Sequence, residues 1–287
     1  MKDVILTLGC SYTDPNFKSK NRLLEDAPPS VVGGWPMWPQ IFTEKLSERD
    51  QVQYKLINAG LSGSGMDYQA EMFFEHWLEY KDSLKIVLWG GTSYFRFQHF
   101  SNGRKVAIQH YQDGRKERKL AYPSYEKVTE KIAEYGCTEY LKNLAKQTGG
   151  DELYLRRAKV NHEMIVAIRD LCELNGTHFI FYPLINPFSG GTYKKVGGRT
   201  RRITQQETMN YFYQGSPKAW ESIMKDRNFI GITSHGFEWI NWLLLTKNDE
   251  NCQIQHSKEY PNNDSHPNDR GQRLIANEFW KHYEKHF

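Results

Sequence analysis

The stretch Val4-Ile5-Leu6-Thr7-Leu8-Gly9-Cys10-Ser11-Tyr12-Thr13 decides how the chain reads. Its first five residues are aliphatic or β-branched, without polar alternation, and a glycine ends the run. That pattern predicts a strand buried on both faces, as in parallel sheets. Ser11 then falls just beyond the carboxyl end of the strand. Backbone N–H groups exposed at such a turn can stabilise an oxyanion, which makes Ser11 a candidate nucleophile. In isolation, Gly-x-Ser describes a plain turn equally well.

Working outward, the same unit recurs. Residues 14–36 are polar and rich in Pro and Gly and read as loop. Trp38–Leu46 reads as a helix with Ile41, Phe42 and Leu46 on one face. Tyr54–Asn58 is a second strand, and Met66–Tyr80 a helix with apolar Met66, Ala70, Phe73, Phe74, Trp77 and Leu78. Leu84–Trp89 is a third strand, ended by Gly90-Gly91. Leu153–Leu174 is an amphipathic helix stopped by Gly176, and His178–Tyr182 a fourth strand. Residues 268–286 form a last helix, with Pro267 at its first turn. Strand and helix alternating in this way predict a parallel sheet covered on both faces. Ligand sites in such sheets lie at the carboxyl ends of the strands.

Two stretches interrupt the pattern and are read as insertions on one domain spanning 1–287. The first, about 99–150, holds two turn signals, Asn102-Gly103 and Asp113-Gly114, which flank a candidate hairpin. The second, about 189–260, is irregular and aromatic, with five basic residues between Lys194 and Arg202. Such a run can clamp an anionic substrate or be a solvated loop.

Composition narrows the classes. A net charge of +4 is modest for a dedicated nucleic-acid binder and does not call for an acidic polymer as partner. Cys10, Cys137, Cys172 and Cys252 are widely spaced with no CxxC pair, which reads as reduced thiols in a cytoplasmic setting. The N-terminal apolar run lacks a signal-peptide pattern, and no apolar stretch approaches the ~20 residues of a membrane span. No EF-hand, HExxH or P-loop pattern is present, so neither metal nor other cofactor is expected. Oligomeric state is not legible.

Two further turns carry chemistry. Asn58-Ala59-Gly60-Leu61-Ser62-Gly63-Ser64-Gly65 follows the second strand, and its glycines let backbone N–H groups approach a ligand. Asn263-Asp264-Ser265-His266-Pro267 precedes the last helix. A carboxylate beside a histidine can fix its tautomer and leave the other ring nitrogen to take a serine's proton. The alternative is a capping Asp or Ser beside a surface histidine.

Together the three turns resemble the SGNH (GDSL-like) hydrolases, of which this chain looks like a divergent member. Gly9-Cys10-Ser11 stands where the family has Gly-Asp-Ser, Asn58 through Gly63 matches its second block, and Asp264 and His266 match its last. The resemblance covers the framework from residue 3 to 283 apart from the insertions. It implies a flavodoxin-like three-layer α/β/α sandwich around a central parallel sheet. It also implies a serine esterase or acylhydrolase. Ser11 would be the nucleophile, His266 the base and Asp264 the orienting acid, with an oxyanion hole from Ser11, Gly63 and Thr92. Cys10, Tyr12, Ser93 and Arg96 would lie near the substrate, with Cys10 a lesser candidate nucleophile.

Two departures stand out. Thr92 occupies the place of the family's oxyanion-binding Asn, and loss of one such donor typically costs roughly 10²–10³ in rate. Asn263 stands where the family's Asp would be, which passes the orienting role to Asp264. These departures leave a second reading open: a weakened SGNH-like module that binds glycan, nucleic acid or protein. As an enzyme, the aromatic and polar loops and the lack of an apolar lid helix favour a small-molecule or carbohydrate O-acyl ester, such as an O-acetyl ester. Acyl transfer to another alcohol would use the same residues. His162, inside a helix, reads as structural.

Overall fold

The structure, a computed structural model, describes residues 3–17, 36–94, 96–101, 104–109, 119–120, 150–185, 193–196, 199–202, 213–233, 236–237, 252–254 and 264–287. Its centre is a parallel sheet of β1 (Val4–Leu8), β2 (Lys55–Asn58), β3 (Leu84–Gly91) and β7 (His178–Pro183), in the order β2-β1-β3-β7. Between β3 and β7 lie β4 (Arg96–Ser101), β5 (Arg104–Gln109) and β6 (Lys119–Leu120), which form a separate antiparallel sheet. Ser101 pairs with Arg104 at one end of the β4–β5 pair, and Asn102-Gly103 between them lies outside the described residues. Asp113-Gly114 lies outside the described residues, as do Cys137 and most of 99–150.

Both faces of the sheet are covered, and the strand side chains divide by parity. Leu6, Leu8, Val87, Trp89, Phe179 and Phe181 point to one core. The helices packed there are α2 (Met66–Tyr80), α3 (Gly150–Leu174) and α4 (Pro217–Lys225). Ile5, Ile86, Leu88, Ile180 and Tyr182 point to the other, against α1 (Trp38–Asp50) and α5 (Asp269–His286). Alternating residues thus feed two cores, and that is why β1, β3 and β7 read as near-continuous apolar runs, broken by Lys85 in β3 and by His178 at the start of β7. The result is the expected three-layer α/β/α arrangement. Trp38 of α1 stacks on Phe279 of α5, their rings 4.5 Å apart and nearly parallel.

Several details differ from the sequence reading. On α2, Phe74 and Leu78 stand 46% and 79% exposed, so the buried stripe is Met66, Ala70, Phe73 and Trp77. Within 189–260, read as irregular, Tyr193–Val196 (β8) pairs antiparallel with Arg199–Arg202 (β9), which places the basic run on a hairpin. Helix α4 is part of the core: Ala219, Trp220 and Ile223 bury one face. Arg169 of α3 holds it, pairing with Asp226 and donating to Ser222 Oγ at 2.8 Å. Just beyond, residues 228–230 run along the edge of β7. Phe181 N donates to the Asn228 carbonyl, and Ile230 N to the Phe181 carbonyl, each at 2.8 Å. The helix was hidden because its apolar face is only three residues long and stands among loops.

The stretch before the last helix also differs. Asp264–Pro267 forms a short strand, β13, paired antiparallel with Gln253–Ile254 (β12). Ile232–Thr233 (β10) and Gly236–Phe237 (β11) form another short pair. Pro267 therefore precedes α5 instead of opening it. Asn268 caps the helix, its side chain accepting from Gly271 N at 3.0 Å. No helix of the described residues is long and apolar enough to cross a membrane.

Candidate active site

The site lies at the carboxyl ends of β1, β2 and β3. The turn after β1 is closed by Thr13 N and Asp14 N, which donate to the Cys10 carbonyl at 2.8 and 3.0 Å. Ser11 sits at its head, 7% exposed. Its Oγ lies 2.7 Å from Nε2 of His266, a full-strength hydrogen bond. The imidazole is held by rings: Phe17 stacks on it at 4.1 Å between centroids, and Tyr12 meets it edge-on at 5.3 Å.

Side chains on either side of Ser11 face the core. Cys10, expected beside the substrate, is fully buried in the cluster on the α1 side, and so is Tyr12. The main chain around them is fixed from below by Gln272 of α5. Its Nε2 donates to the Tyr12 carbonyl at 3.3 Å, and its Oε1 accepts from Trp38 N at 2.9 Å.

The loop after β2 is bound closely to this turn. Leu61 N donates to the Gly9 carbonyl at 3.0 Å, and Asn58 Nδ2 to the Thr13 carbonyl at 2.8 Å. Asp14, 4% exposed, accepts from Ser62 N at 2.8 Å, from Ser62 Oγ at 2.5 Å and from Asn16 N at 2.8 Å. Three donors on one buried carboxylate offset its desolvation. The approach is so close that a Cβ on Gly60 would lie 2.7 Å from the carbonyl carbon of Thr13. Gly63 has φ +78, a conformation few residues other than glycine adopt readily.

The third strand brings Gly90, Gly91, Thr92 and Ser93 to the same end of the sheet. Thr92 is 1% exposed, and its N–H is directed at Sδ of Met66, 3.5 Å away. Ser93 is fully buried. Beyond them Tyr94 is buried against His162 of α3, rings 5.5 Å apart, and His162 stacks on Trp220 of α4 at 5.2 Å. Burial lowers the pKa of His162 to about 3 and raises that of the Tyr94 hydroxyl. His162 is thus a neutral packing group beneath the site.

Of the residues singled out from sequence, the structure brings Ser11 and His266 into contact and places Gly63 and Thr92 on adjacent loops. Asp264 lies in β13 two residues before His266, and Arg96 opens β4; their side chains lie outside the described part of the structure, as does all of Asn263. Asp14, Phe17 and Gln69 escaped the sequence reading. The only local hint for Asp14 is its position three residues past the serine, and its partner Ser62 is 48 positions away.

No protein-family model matches the chain. No curated protein matches it either. Solved structures do. A lipase from a goat rumen metagenome is 10% identical, with 98% of this chain and 97% of that one covered and a TM-score of 0.48. A psychrotrophic esterase from a Pseudoalteromonas species is 13% identical over 99% and 98% of the two chains, with a TM-score of 0.43. An acetyl xylan esterase from Geobacillus stearothermophilus is 11% identical over 98% and 94%, with a TM-score of 0.44. The chain is similar in structure to these proteins, among others.

Proposed function

We propose that the protein is a serine esterase or acylhydrolase acting on a small-molecule or carbohydrate O-acyl ester. The observation that carries this reading is the 2.7 Å bond between Ser11 Oγ and His266 Nε2 at the carboxyl ends of a parallel sheet. With its proton on Nδ1, His266 presents a lone pair at Nε2 to the serine hydroxyl. Ser11 Oγ attacks the acyl carbonyl and its proton passes to Nε2. The negative charge on the former carbonyl oxygen is met by the N–H groups of Ser11 and Gly63, with Thr92 in support. As the carbon–oxygen bond of the ester breaks, His266 returns the proton to the departing alcohol. Water then attacks the acyl-enzyme, giving up a proton to His266. The acid leaves, and Ser11 regains its hydrogen. Asp264 orients the imidazole from β13.

The test is labelling by a fluorophosphonate probe, which reacts only with an activated nucleophile. The native protein is expected to label, and folded Ser11→Ala and His266→Ala variants to remain unlabelled. A folded native protein that does not label would favour the second reading, a binding module with a weakened site.

A further inference from the structure

Three polar side chains, one on each of β3, α2 and the loop after β2, run through the apolar layer beneath the site. Trp89 of β3 donates from Nε1 to Gln69 Oε1 at 2.6 Å. Gln69 of α2 donates from Nε2 to Ser64 Oγ at 3.1 Å. Ser64 donates from Oγ to the Gly9 carbonyl at 3.0 Å. Each of the three side chains is 1% exposed or less.

The chain has one direction only. An indole N–H donates and never accepts, so the carbonyl end of Gln69 must face Trp89. That leaves the amide end to donate to Ser64. The single proton of Ser64 is then free for Gly9. No link can reverse without leaving a buried donor unpaired, which costs about 1–3 kcal/mol.

The groups so joined are the three loops of the site. Trp89 stands three residues before Thr92, Ser64 directly follows Gly63, and Gly9 stands two residues before Ser11. Gly63 is in fact held on both sides, by Ser64 in this relay and by Ser62 on Asp14. Apolar residues of equal size would fill the same space without desolvating polar atoms. What a satisfied, unidirectional network adds is one fixed spacing between the strands' ends.

We infer that Gln69 is a positioning residue for the oxyanion hole, setting the Gly63 and Thr92 loops against the Ser11 turn through the Trp89–Gln69–Ser64–Gly9 relay. The inference rests on the esterase reading above. Gln69 reaches no substrate; it acts through the backbone it holds. Its effect belongs to the transition state, where the oxyanion forms, and not to ground-state binding.

The test is steady-state hydrolysis of p-nitrophenyl acetate by the full chain and by Gln69→Met, Ser64→Ala and the double variant, each checked for native circular dichroism. Each single variant is expected to lose about 10- to 100-fold in kcat with KM within about twofold. The double variant is expected to be no slower than the slower single by more than about threefold, because both cut one relay. Folded single variants with native kcat, or losses that multiply in the double, would overturn the inference and leave the esterase reading standing. Should Gln69→Met not fold, Ser64→Ala decides by the same criterion, since it removes one oxygen atom. A native protein that neither hydrolyses the ester nor takes the fluorophosphonate would overturn the esterase reading, and this inference with it.

Discussion

Ser11 Oγ and His266 Nε2 meet at 2.7 Å although 255 positions separate them in the chain. The first stands on the turn after β1, the second on a strand that runs directly into α5. Their meeting depends on α5 packing against α1, where Trp38 stacks on Phe279, and on Gln272 bonding to both Trp38 and Tyr12. Gln272→Leu removes both of these bonds. It is expected to lower stability by about 1–3 kcal/mol, measured by urea unfolding. Fluorophosphonate labelling should slow as well; unchanged labelling in a destabilised but folded variant would separate the packing of α5 from the reach of His266.

The face of Phe17 lies on the imidazole of His266 at 4.1 Å. Aromatic pairs of this kind contribute about 0.5–1.5 kcal/mol beyond area. Phe17→Leu keeps an apolar side chain and loses the π face. Its kcat/KM on p-nitrophenyl acetate is expected to fall about 2- to 12-fold, the same energy expressed as a rate. Phe17→Tyr should restore it, and equal rates for Leu and Phe would discount the stack.

Asp14 answers three donors from the Ser62 and Asn16 side of the site. Asp14→Ala leaves them without that acceptor and is expected to cost about 1–3 kcal/mol in urea unfolding. Turnover should fall as well, because Ser62 precedes Gly63. Asp14→Asn retains one carbonyl acceptor and should recover part of both losses. A variant with alanine that unfolds at the native urea concentration would contradict the arrangement.

Gly60 lies against Thr13, which is fully buried and accepts from Trp38 Nε1 at 3.2 Å. A methyl group there meets main chain that cannot retreat. Gly60→Ala is expected to lose about 1–3 kcal/mol or more through overpacking. Calorimetry would show the drop, and a melting temperature equal to the native one would refute the close approach.

His162 titrates at about 3 in the folded chain because burial excludes the charged form, against about 6.5 when unfolded. The unfolded chain therefore binds one proton more between these values. Stability present above pH 6.5 is lost as the pH falls toward 3, by about 1.4 kcal/mol per pH unit from this group. Urea unfolding at pH 7, 6, 5 and 4 measures the slope. His162→Phe, which keeps the stack on Trp220, should flatten it by that amount; an unaltered slope would mean that His162 takes up its proton while folded.

What the sequence determined by itself is local. Val4–Leu8, Leu84–Trp89 and His178–Tyr182 read as strands because, Lys85 and His178 apart, their positions are apolar or β-branched, and each strand supplies two cores at once. The glycines after β1 and β2 were legible as turns for the same kind of reason, since only the backbone's own freedom is involved. The tertiary structure alone decided the rest. It made Asp264–Pro267 a strand because Gln253–Ile254 lies beside it, and it turned Pro217–Lys225 into a core helix because Trp220 and Ile223 find the sheet. It aligned Trp89, Gln69, Ser64 and Gly9, whose spacing follows no period of strand or helix. A hydrogen bond between distant residues leaves no periodic trace, because it depends on where two elements pack and not on how either one is built.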